Sequence, residues 1–375
     1  MTQPSAKEAL LFDLTLTDDQ RLTRETMQRF AEFELRKLSR QTDETHAIPH
    51  ELLQKAHELG ITALAVPEEH GGAGSERSPV SNVLVAEDLG KGDLGLALAI
   101  LSPLGFVNAL IDHGSSAQQA KYLPAYAAEN FKAAAVAISE PRVTFDVYQP
   151  HTTAKREGDG YTLNGTKSMV PLVSLAEQFL VIAELEGEGP QAFIVDAGTA
   201  GLRSEEERYM GLAGLGLGNL HLENVQVGAD ALLGEGEKAF DYRRFVTLNR
   251  LGVCAAALGT AQAVLDHTSQ YVNERYAFGE PISHRQSVAF MVANIAIELD
   301  SMRLLVWRAA SRIEHGLDYQ RNAHLAYVNC AERMMQIGTD GLQLLGGHGF
   351  IREHMEELWY RALRSAAILE GGFHV

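Results

Sequence analysis

The stretch "HRQSVAFMVANIAIELDSMRLLVWRAASRIEHG", residues 284–316, decides the fold class of this chain. Its apolar residues recur at helical spacing, which predicts one long helix with an apolar stripe formed by Val288, Met291, Ile295, Leu299, Met302 and Leu305. The preceding "AAALGTAQAVLD" (255–266) has a face of small residues that lets helices approach closely. Long helices joined by short loops predict an antiparallel four-helix bundle over residues 237–375.

The middle of the chain has a different pattern. "HTTAKREGDGYTLNGTKSMV" (151–170) alternates apolar and polar residues and contains turn signals, and three more strand-like runs follow at 178–185, 191–197 and 220–227. We therefore expect a small, barrel-like β domain over 138–236. Residues 1–137 have helical spacing, with a helix start near Thr17. The predicted fold class is α+β, mainly α.

Composition excludes several function classes. The 375 residues carry a formal net charge of -17, so the chain lacks the basic excess that nucleic acids or anionic membranes attract. The N-terminus has no secretory or transit pattern, and no apolar stretch is expected to span a membrane. Cys254 and Cys330 lie in helical apolar patterns, so we interpret them as buried thiols in a reducing compartment. A cytoplasmic enzyme is the expectation.

The end of the chain, "AILEGGFHV" (367–375), contains one carboxylate, Glu370, between apolar residues and two glycines. One interpretation is a frayed tail whose acid lies in water. The alternative is a catalytic base held on a Gly-Gly turn in an apolar pocket. The rest of the sequence has to decide between them.

Two helix ends suggest ligand contacts. "ERYAFGEPISHRQ" (274–286) places an arginine and an aromatic residue at a corner, which suits a pyrophosphate and a flat ring. "DGLQLLGGHGFIRE" (340–353) has glycines that let a backbone approach a ligand. Each also fits an ordinary helix end with exposed side chains.

Other clusters of glycine and histidine give little support for a ligand or metal site. "GLAGLGLGN" (211–219) lacks the strand-then-helix context of a phosphate loop, so we expect a plain loop there. His46, His50 and His57 are expected to be solvated, and no metal site is expected.

In combination these motifs resemble the acyl-CoA dehydrogenase family over nearly the whole chain. "VPEEHGGAG", "LNGTK", "LLGEGE", "ERYAFGEPISHRQ", "QLLGGHGF" and "ILEGG" occur in the family's order. The resemblance implies an N-terminal α domain, a middle β domain and a C-terminal four-helix bundle, in agreement with the periodicity. It also implies FAD as cofactor, an acyl-CoA substrate, and a place in fatty acid metabolism and β-oxidation.

The resemblance assigns roles at the substrate side. Glu370 matches the base that takes the α-proton while the β-hydride passes to flavin N5. Such a base must be desolvated and close to its weakly acidic carbon. The backbone N–H of Gly371 would face the thioester oxygen, and Arg250 matches an arginine near the base and the acyl-CoA. Some relatives carry their base at the position of Asn249, which cannot serve.

The resemblance also assigns cofactor contacts. Arg275, Phe278 and Gln286 match positions that grip the FAD of a neighbouring subunit, and Gln343, Gly346 and Gly347 match a second contact with it. Ser139 matches a hydroxyl beside the flavin ring, and Met169 stands where an aromatic residue usually covers it. The family implies an electron-transfer flavoprotein as oxidant and a homodimer or homotetramer.

The flavin-ring side departs from the family pattern. "EPRVTFD" (140–146) replaces "EPGAGSD", and "KSMVPLV" (167–173) replaces "KMWITNG". Pro171 has neither the hydroxyl nor the N–H that would bond N5. Two alternatives to an active enzyme therefore stay open: a flavin-poor partner subunit in a heteromer with a paralogue, and a non-redox acyl-CoA-binding homologue.

Overall fold

The structure, a computed structural model, describes residues 15–234, 238–370 and 373–375. It consists of two compact units. The first, here the bundle unit, contains residues 15–43, 78–97 and 254–368, and the second, the sheet unit, contains the described parts of 44–77, 98–253 and 369–375. Two long helices, introduced below, have residues in both units.

The N-terminal part is helical. Helix α1 (Asp18–Phe30) starts at Thr17, whose hydroxyl accepts from the Gln20 N–H while the Gln20 side chain accepts from the Thr17 N–H. A π-helical turn (Ala31–Leu35) joins α1 to α2 (Arg36–Thr45). The other helices before the sheet are α3 (His50–Glu58), α4 (Pro79–Gly90), α5 (Leu94–His113), α6 (Ser116–Tyr122) and α7 (Pro124–Ala127).

The described C-terminal part contains three long helices, α8 (Tyr242–Glu274), α9 (Gln286–Glu314) and α10 (Gln320–Leu345), and a shorter one, α11 (Glu356–Ala366). Half of the predicted stripe on α9 is buried, since Ile295, Leu299 and Met302 are at most 1% exposed. Val288, Met291 and Leu305 are half-buried, and the other buried residues of the helix are Val306, Ala309 and Ala310. The predicted small-residue face of α8 is also confirmed. A Cβ added at Gly259 would lie 1.9 Å from the Glu87 carbonyl oxygen of α4, so only glycine permits this approach.

The middle part is one seven-stranded sheet, which confirms the predicted β domain. Its strands are β1 (Ala134–Ala137), β2 (Thr153–Glu157), β3 (Gly160–Val170), β4 (Gln178–Leu185), β5 (Gly189–Asp196), β6 (Leu202–Glu206) and β7 (Gly218–Gly228). The order is β1-β4-β2-β3-β7-β6, with β5 paired to β4. The Gly158-Asp159-Gly160 turn joins β2 to β3 as a hairpin. A two-stranded ribbon, β8 (Tyr276–Ala277) and β9 (Glu280–Pro281), lies between α8 and α9.

Both faces of the sheet are buried. Along β4, Leu180 and Ile182 belong to a cluster with Phe106 and Tyr126 of the helices. Their neighbours Phe179 and Val181 belong to a second cluster on the opposite face. This alternation follows from the two-residue period of a strand.

Two sequence expectations need correction. Helices α5 and α8 are long and apolar enough to cross a membrane by length and composition, contrary to the expectation, but 94% and 83% of their most apolar windows are buried inside the protein. Internal helices pass the same test, so the finding is weak evidence for a membrane span. His57 is 8% exposed rather than solvated, and its Nε2 lies 2.7 Å from the Ala128 carbonyl oxygen.

Candidate active site

The structure brings together the carboxylate and the arginine that the sequence singled out. Arg250 lies on α8, and Glu370 follows α11; both belong to the sheet unit. Arg250 Nε donates to Glu370 Oε2 at 2.5 Å, and the two side chains are 15% and 16% exposed. The interpretation of Glu370 as an acid on a frayed tail is therefore wrong, because a guanidinium holds the carboxylate in a largely buried position.

Two tyrosines surround this ion pair. The Tyr242 hydroxyl donates to the Val147 carbonyl oxygen at 2.6 Å. Burial, followed by the charge of Glu370, raises the pKa of Tyr242 well above its usual range, so its phenol stays protonated. The ring of Tyr148 lies near two guanidinium groups, 4.9 Å from that of Arg243 and 6.0 Å from that of Arg250. Tyr148 thus helps to orient the arginine that holds Glu370.

Sequence reasoning missed Tyr148. It lies in the segment after "EPRVTFD", where no periodicity marks it. Its contact with Arg250 joins residues about a hundred positions apart. Only the folded chain shows that contact.

The expected apolar flank of Glu370 is only partly present. Leu369 is 1% exposed, whereas Ile368 is 60% exposed. Of the three flanking residues, only Leu369 is buried as expected. The expected role of Gly371 lies outside the described residues.

The last described residues, 373–375, are buried. Phe373, His374 and Val375 have no exposed surface. A Cβ added at Gly252 would lie 2.4 Å from the Phe373 carbonyl oxygen, so Gly252 leaves the room that Phe373 occupies. Asn108 of α5 donates from Nδ2 to the His374 carbonyl oxygen at 2.6 Å. Glu370 is therefore anchored on its C-terminal side as well as by Arg250.

His374 is buried beside the half-buried ion pair of Arg77 and Asp112. Its Nε2 lies 3.2 Å from Asp112 Oδ2, in poor hydrogen-bond alignment, and Arg77 donates to both oxygens of Asp112 at 2.8 and 3.0 Å. Burial lowers the pKa of His374 to about 4, although Asp112 opposes that shift. Burial alone would raise the pKa of Asp112, but the contacts with His374 and Arg77 outweigh it and hold the pKa well below its usual range.

We expect this cluster to make the fold sensitive to mild acid. Because the folded-state pKa of His374 lies below the usual 6.5, the unfolded chain binds the extra proton first as the pH falls from 6.5 to about 4. Between pH 7 and pH 5 this histidine alone should lower the free energy of unfolding by roughly 2 kcal/mol. Urea unfolding of wild type and His374→Gln at both pH values measures the difference. The exposed His284→Gln variant is the control; equal pH dependence in all three proteins would contradict the assignment.

In the sheet unit, a buried ion pair holds in place the segment that the family resemblance puts beside the flavin ring. Lys167 Nζ donates to Glu140 Oε1 at 2.9 Å and to the Ile138 carbonyl oxygen at 3.0 Å. Burial lowers the pKa of Lys167 to about 8. Burial would raise the pKa of Glu140, but the charge of Lys167 and the backbone N–H groups of His151 and Thr152 lower it. Both groups are therefore charged at neutral pH, and the pair braces β3 against the start of "EPRVTFD".

The predicted ring contacts lie beside this pair. Ser139 is half-buried, and its carbonyl oxygen accepts from the Ser168 N–H at 2.8 Å. Met169 is half-buried with φ 53, a conformation that favours glycine, and Pro171 is buried. Phe145, which replaces a small residue of the family pattern, is half-buried and packs against the core cluster of the sheet unit.

The predicted pyrophosphate-side contacts lie on the bundle unit, at helix ends. Phe278 is 93% exposed with φ 57, and the side chains of Arg275, Gln286 and Gln343 are exposed. Within the described part of the chain, these three polar side chains make no hydrogen bond. A Cβ added at Gly346 or Gly347 would meet no atom within 4 Å. An unpaired guanidinium, two amides, an exposed ring and an open glycine turn fit the pyrophosphate and adenosine end of FAD.

Three family models match the chain: the N-terminal domain of acyl-CoA dehydrogenase over residues 17–130, the middle domain over 135–225, and the C-terminal domain over 241–373. Among curated proteins, the chain is 33% identical over 365 residues to 3-(aryl)acrylate reductase of Clostridium sporogenes, covering 95% of each. It is 32% identical to the mitochondrial short-chain specific acyl-CoA dehydrogenase of Rattus norvegicus, covering 95% of this chain and 87% of that protein.

Solved structures of similar fold agree with these family matches. Butyryl-CoA dehydrogenase from Megasphaera elsdenii superposes with a TM-score of 0.87 at 29% identity, with 96% of each chain covered. A chain from a structure described as the electron transferring flavoprotein of Acidaminococcus fermentans gives a TM-score of 0.87 at 30% identity, again with 96% of each covered. The FAD complex of PigA gives 0.88 at 25% identity, with the same coverage.

Proposed function

Because the chain belongs to the acyl-CoA dehydrogenase family of FAD-dependent oxidoreductases, we propose that it dehydrogenates an acyl-CoA thioester to the 2-enoyl-CoA, with Glu370 as the α-proton base. The observation that carries this proposal is the 2.5 Å contact between Arg250 and a Glu370 carboxylate that is 16% exposed. A carboxylate held at a defined place and mostly out of water is what proton abstraction from a weakly acidic carbon needs.

The surrounding residues set the position of the base. Arg250 holds one carboxylate oxygen, and the ring of Tyr148 lies 6.0 Å from the Arg250 guanidinium. The buried Phe373 and His374 restrain the chain after Glu370. Glu370 takes the α-proton, and Arg250 offers its positive charge to the acyl-CoA. FAD, when bound, accepts the hydride from the β-carbon.

The cofactor would be held by two sets of residues. Arg275, Phe278, Gln286, Gln343, Gly346 and Gly347 would hold the pyrophosphate and adenosine end of a neighbouring subunit's FAD. Ser139 and Met169 would lie beside the ring of the chain's own FAD. Buried Pro171 favours the second candidate function, a flavin-poor partner subunit of a heteromer, because it offers no hydrogen bond to the ring.

The substrate is expected to carry an apolar acyl group. Helix α5, which should line its pocket, has no charged residue from Leu94 to Ile111. We expect butyryl-CoA or a longer aliphatic acyl-CoA to bleach the visible flavin absorbance of the FAD-loaded protein under anaerobic conditions. A 3-arylacrylate, with the protein reduced beforehand, tests the activity named for the Clostridium sporogenes relative. A flavin-loaded protein that responds to none of these compounds would contradict the proposal.

The natural oxidant is proposed to be an electron-transfer flavoprotein, supported by the name of one structural relative. We also propose a cytoplasmic location, which the two free, buried cysteines Cys254 and Cys330 support.

The exposed apolar face of α9 supports the proposal that the chain assembles into a dimer or tetramer. Phe290, Ile297 and Leu304 are 58%, 65% and 52% exposed at intervals of seven residues, so they form one stripe along the helix. Such a stripe suits another copy of the chain or a paralogue. We expect light scattering at micromolar concentration to give at least a dimer, and Phe290→Glu to weaken it. A monodisperse wild-type monomer would contradict this assignment.

A further inference from the structure

Three side chains that commonly bind metals lie together at the start of α11, two of them close in sequence and the third, His267, almost ninety positions earlier. His267 belongs to α8, His354 precedes α11, and Glu356 is its first residue. One candidate ligand atom of each lies within 4.8 Å of the other two. His267 Nδ1 contacts Glu356 Oε1. All three belong to the bundle unit and are separate from the residues assigned to acyl-CoA or FAD.

Glu356 is the unusual member of this cluster. Its side chain is 1% exposed, and its second oxygen, Oε2, has no hydrogen-bond partner within the described residues. Burying a carboxylate with one oxygen unpaired is costly unless a cation compensates. The one cation-forming contact that it makes, with His267, engages only Oε1.

Neighbouring groups do not supply the missing contact. The Arg36 guanidinium is close enough for its charge to act on Glu356, but it makes no hydrogen bond to Oε2. It lies over the Trp359 ring at 5.2 Å and donates to the Lys91 carbonyl oxygen, while its own buried Nε has no partner among the described residues. His348 stacks on His354, with ring centroids 5.6 Å apart and planes at 20°, and its Nδ1 lies 2.7 Å from the Tyr271 hydroxyl. His348 and Tyr271 therefore limit how the His354 ring can turn.

We propose that His267, His354 and Glu356 bind a divalent first-row transition metal of the zinc type. Two imidazole nitrogens and one carboxylate oxygen form a ligand set typical of zinc or iron(II), whereas calcium and magnesium prefer oxygen ligands. Bonds of about 2.0–2.2 Å at tetrahedral angles place ligand atoms about 3.4 Å apart. The His267 side chain is 33% exposed, so it has space to turn toward that spacing. Water would complete the coordination.

The metal would join α8 to the start of α11. It would satisfy Glu356 Oε2 and hold together two elements whose ligands come from distant parts of the sequence. Its role is stabilising, since none of the three ligands is placed at the proposed substrate site. Binding would therefore be independent of flavin content and turnover.

The test is zinc binding by the full-length protein. The protein is treated with a chelator, desalted, supplied with Zn²⁺, desalted again and analysed for metal, and its melting temperature is measured with and without Zn²⁺. We expect about one zinc per chain and an increase in melting temperature of several degrees. His354→Ala and Glu356→Gln should bind zinc at least about tenfold more weakly.

Two controls distinguish a metal site from a plain ion pair. His284→Ala removes an exposed histidine of the same unit and should bind zinc like wild type. Glu356→Gln keeps the volume of the side chain and leaves no cavity. Weaker zinc binding by this folded variant therefore reports the loss of the carboxylate ligand. Failure of the wild type to retain zinc, or equal retention by His354→Ala and wild type, would overturn the proposal and leave a His267–Glu356 ion pair.

Discussion

Replacing Glu370 by glutamine should lower turnover of the true acyl-CoA substrate by about 10²–10⁴-fold, because the amide keeps the shape of the side chain but cannot accept the α-proton. Arg250 Nε can still donate to the amide oxygen at the position now 2.5 Å away, so the fold should change little. Steady-state kinetics and a thermal melt of the same preparation measure the two effects. Flavin content should be close to that of wild type.

The matched control is Glu223→Gln, which makes the same chemical change on the exposed side of β7. It should retain wild-type turnover. If Glu370→Gln stays within about tenfold of wild type, another group takes the proton and Glu370 is not the base.

The second large effect concerns FAD affinity. Pro171 removes a hydrogen bond to the flavin ring, a net loss of about 1 kcal/mol. Phe145 in place of a small residue should cost about 1–3 kcal/mol if its ring also meets the cofactor. Together these losses correspond to a weakening of about one to three decades. We therefore expect partial FAD occupancy as purified, which rises when FAD is added.

The variant that tests this expectation restores the family loop by Arg142→Gly, Val143→Ala, Thr144→Gly and Phe145→Ser. Titration of FAD, followed by flavin fluorescence, should show binding about tenfold tighter or better than wild type. Tight, stoichiometric binding by the wild type would show that the altered wall does not weaken the site. Absence of binding in both proteins would contradict the active homomer and leave the partner-subunit function.

Periodicity predicted the helical and β regions because apolar burial dominates them. The buried face of α9 and the β2–β3 hairpin follow from spacing and turn residues alone. The domain boundaries at 137/138 and 236/237 stay predictions. Membrane-spanning length was misjudged for α5, because an internal helix of a large protein can be as apolar as a spanning one.

The candidate site was less accessible to sequence reasoning. Resemblance to the family identified Glu370 and Arg250, and the fold places them in contact. Tyr148, Asp112 and His374 could not be found, because their partners are distant in sequence and polar contacts leave no periodic signal. The same reason hides the His267, His354 and Glu356 cluster.

The buried Lys167–Glu140 pair has a consequence for how this chain tolerates mutation. It fixes one end of the segment that follows Glu140, while β2 begins at Thr153, whose neighbour Thr152 also donates to Glu140. Between these anchors, Arg142, Val143 and Thr144 are exposed. Substitutions there cost the fold little, so the wall of a cofactor site can diverge by random drift or selection while its framework stays intact. Loss of Lys167 or of Glu140, in contrast, would leave its partner as an uncompensated buried charge, which should lower the free energy of unfolding by about 3–5 kcal/mol.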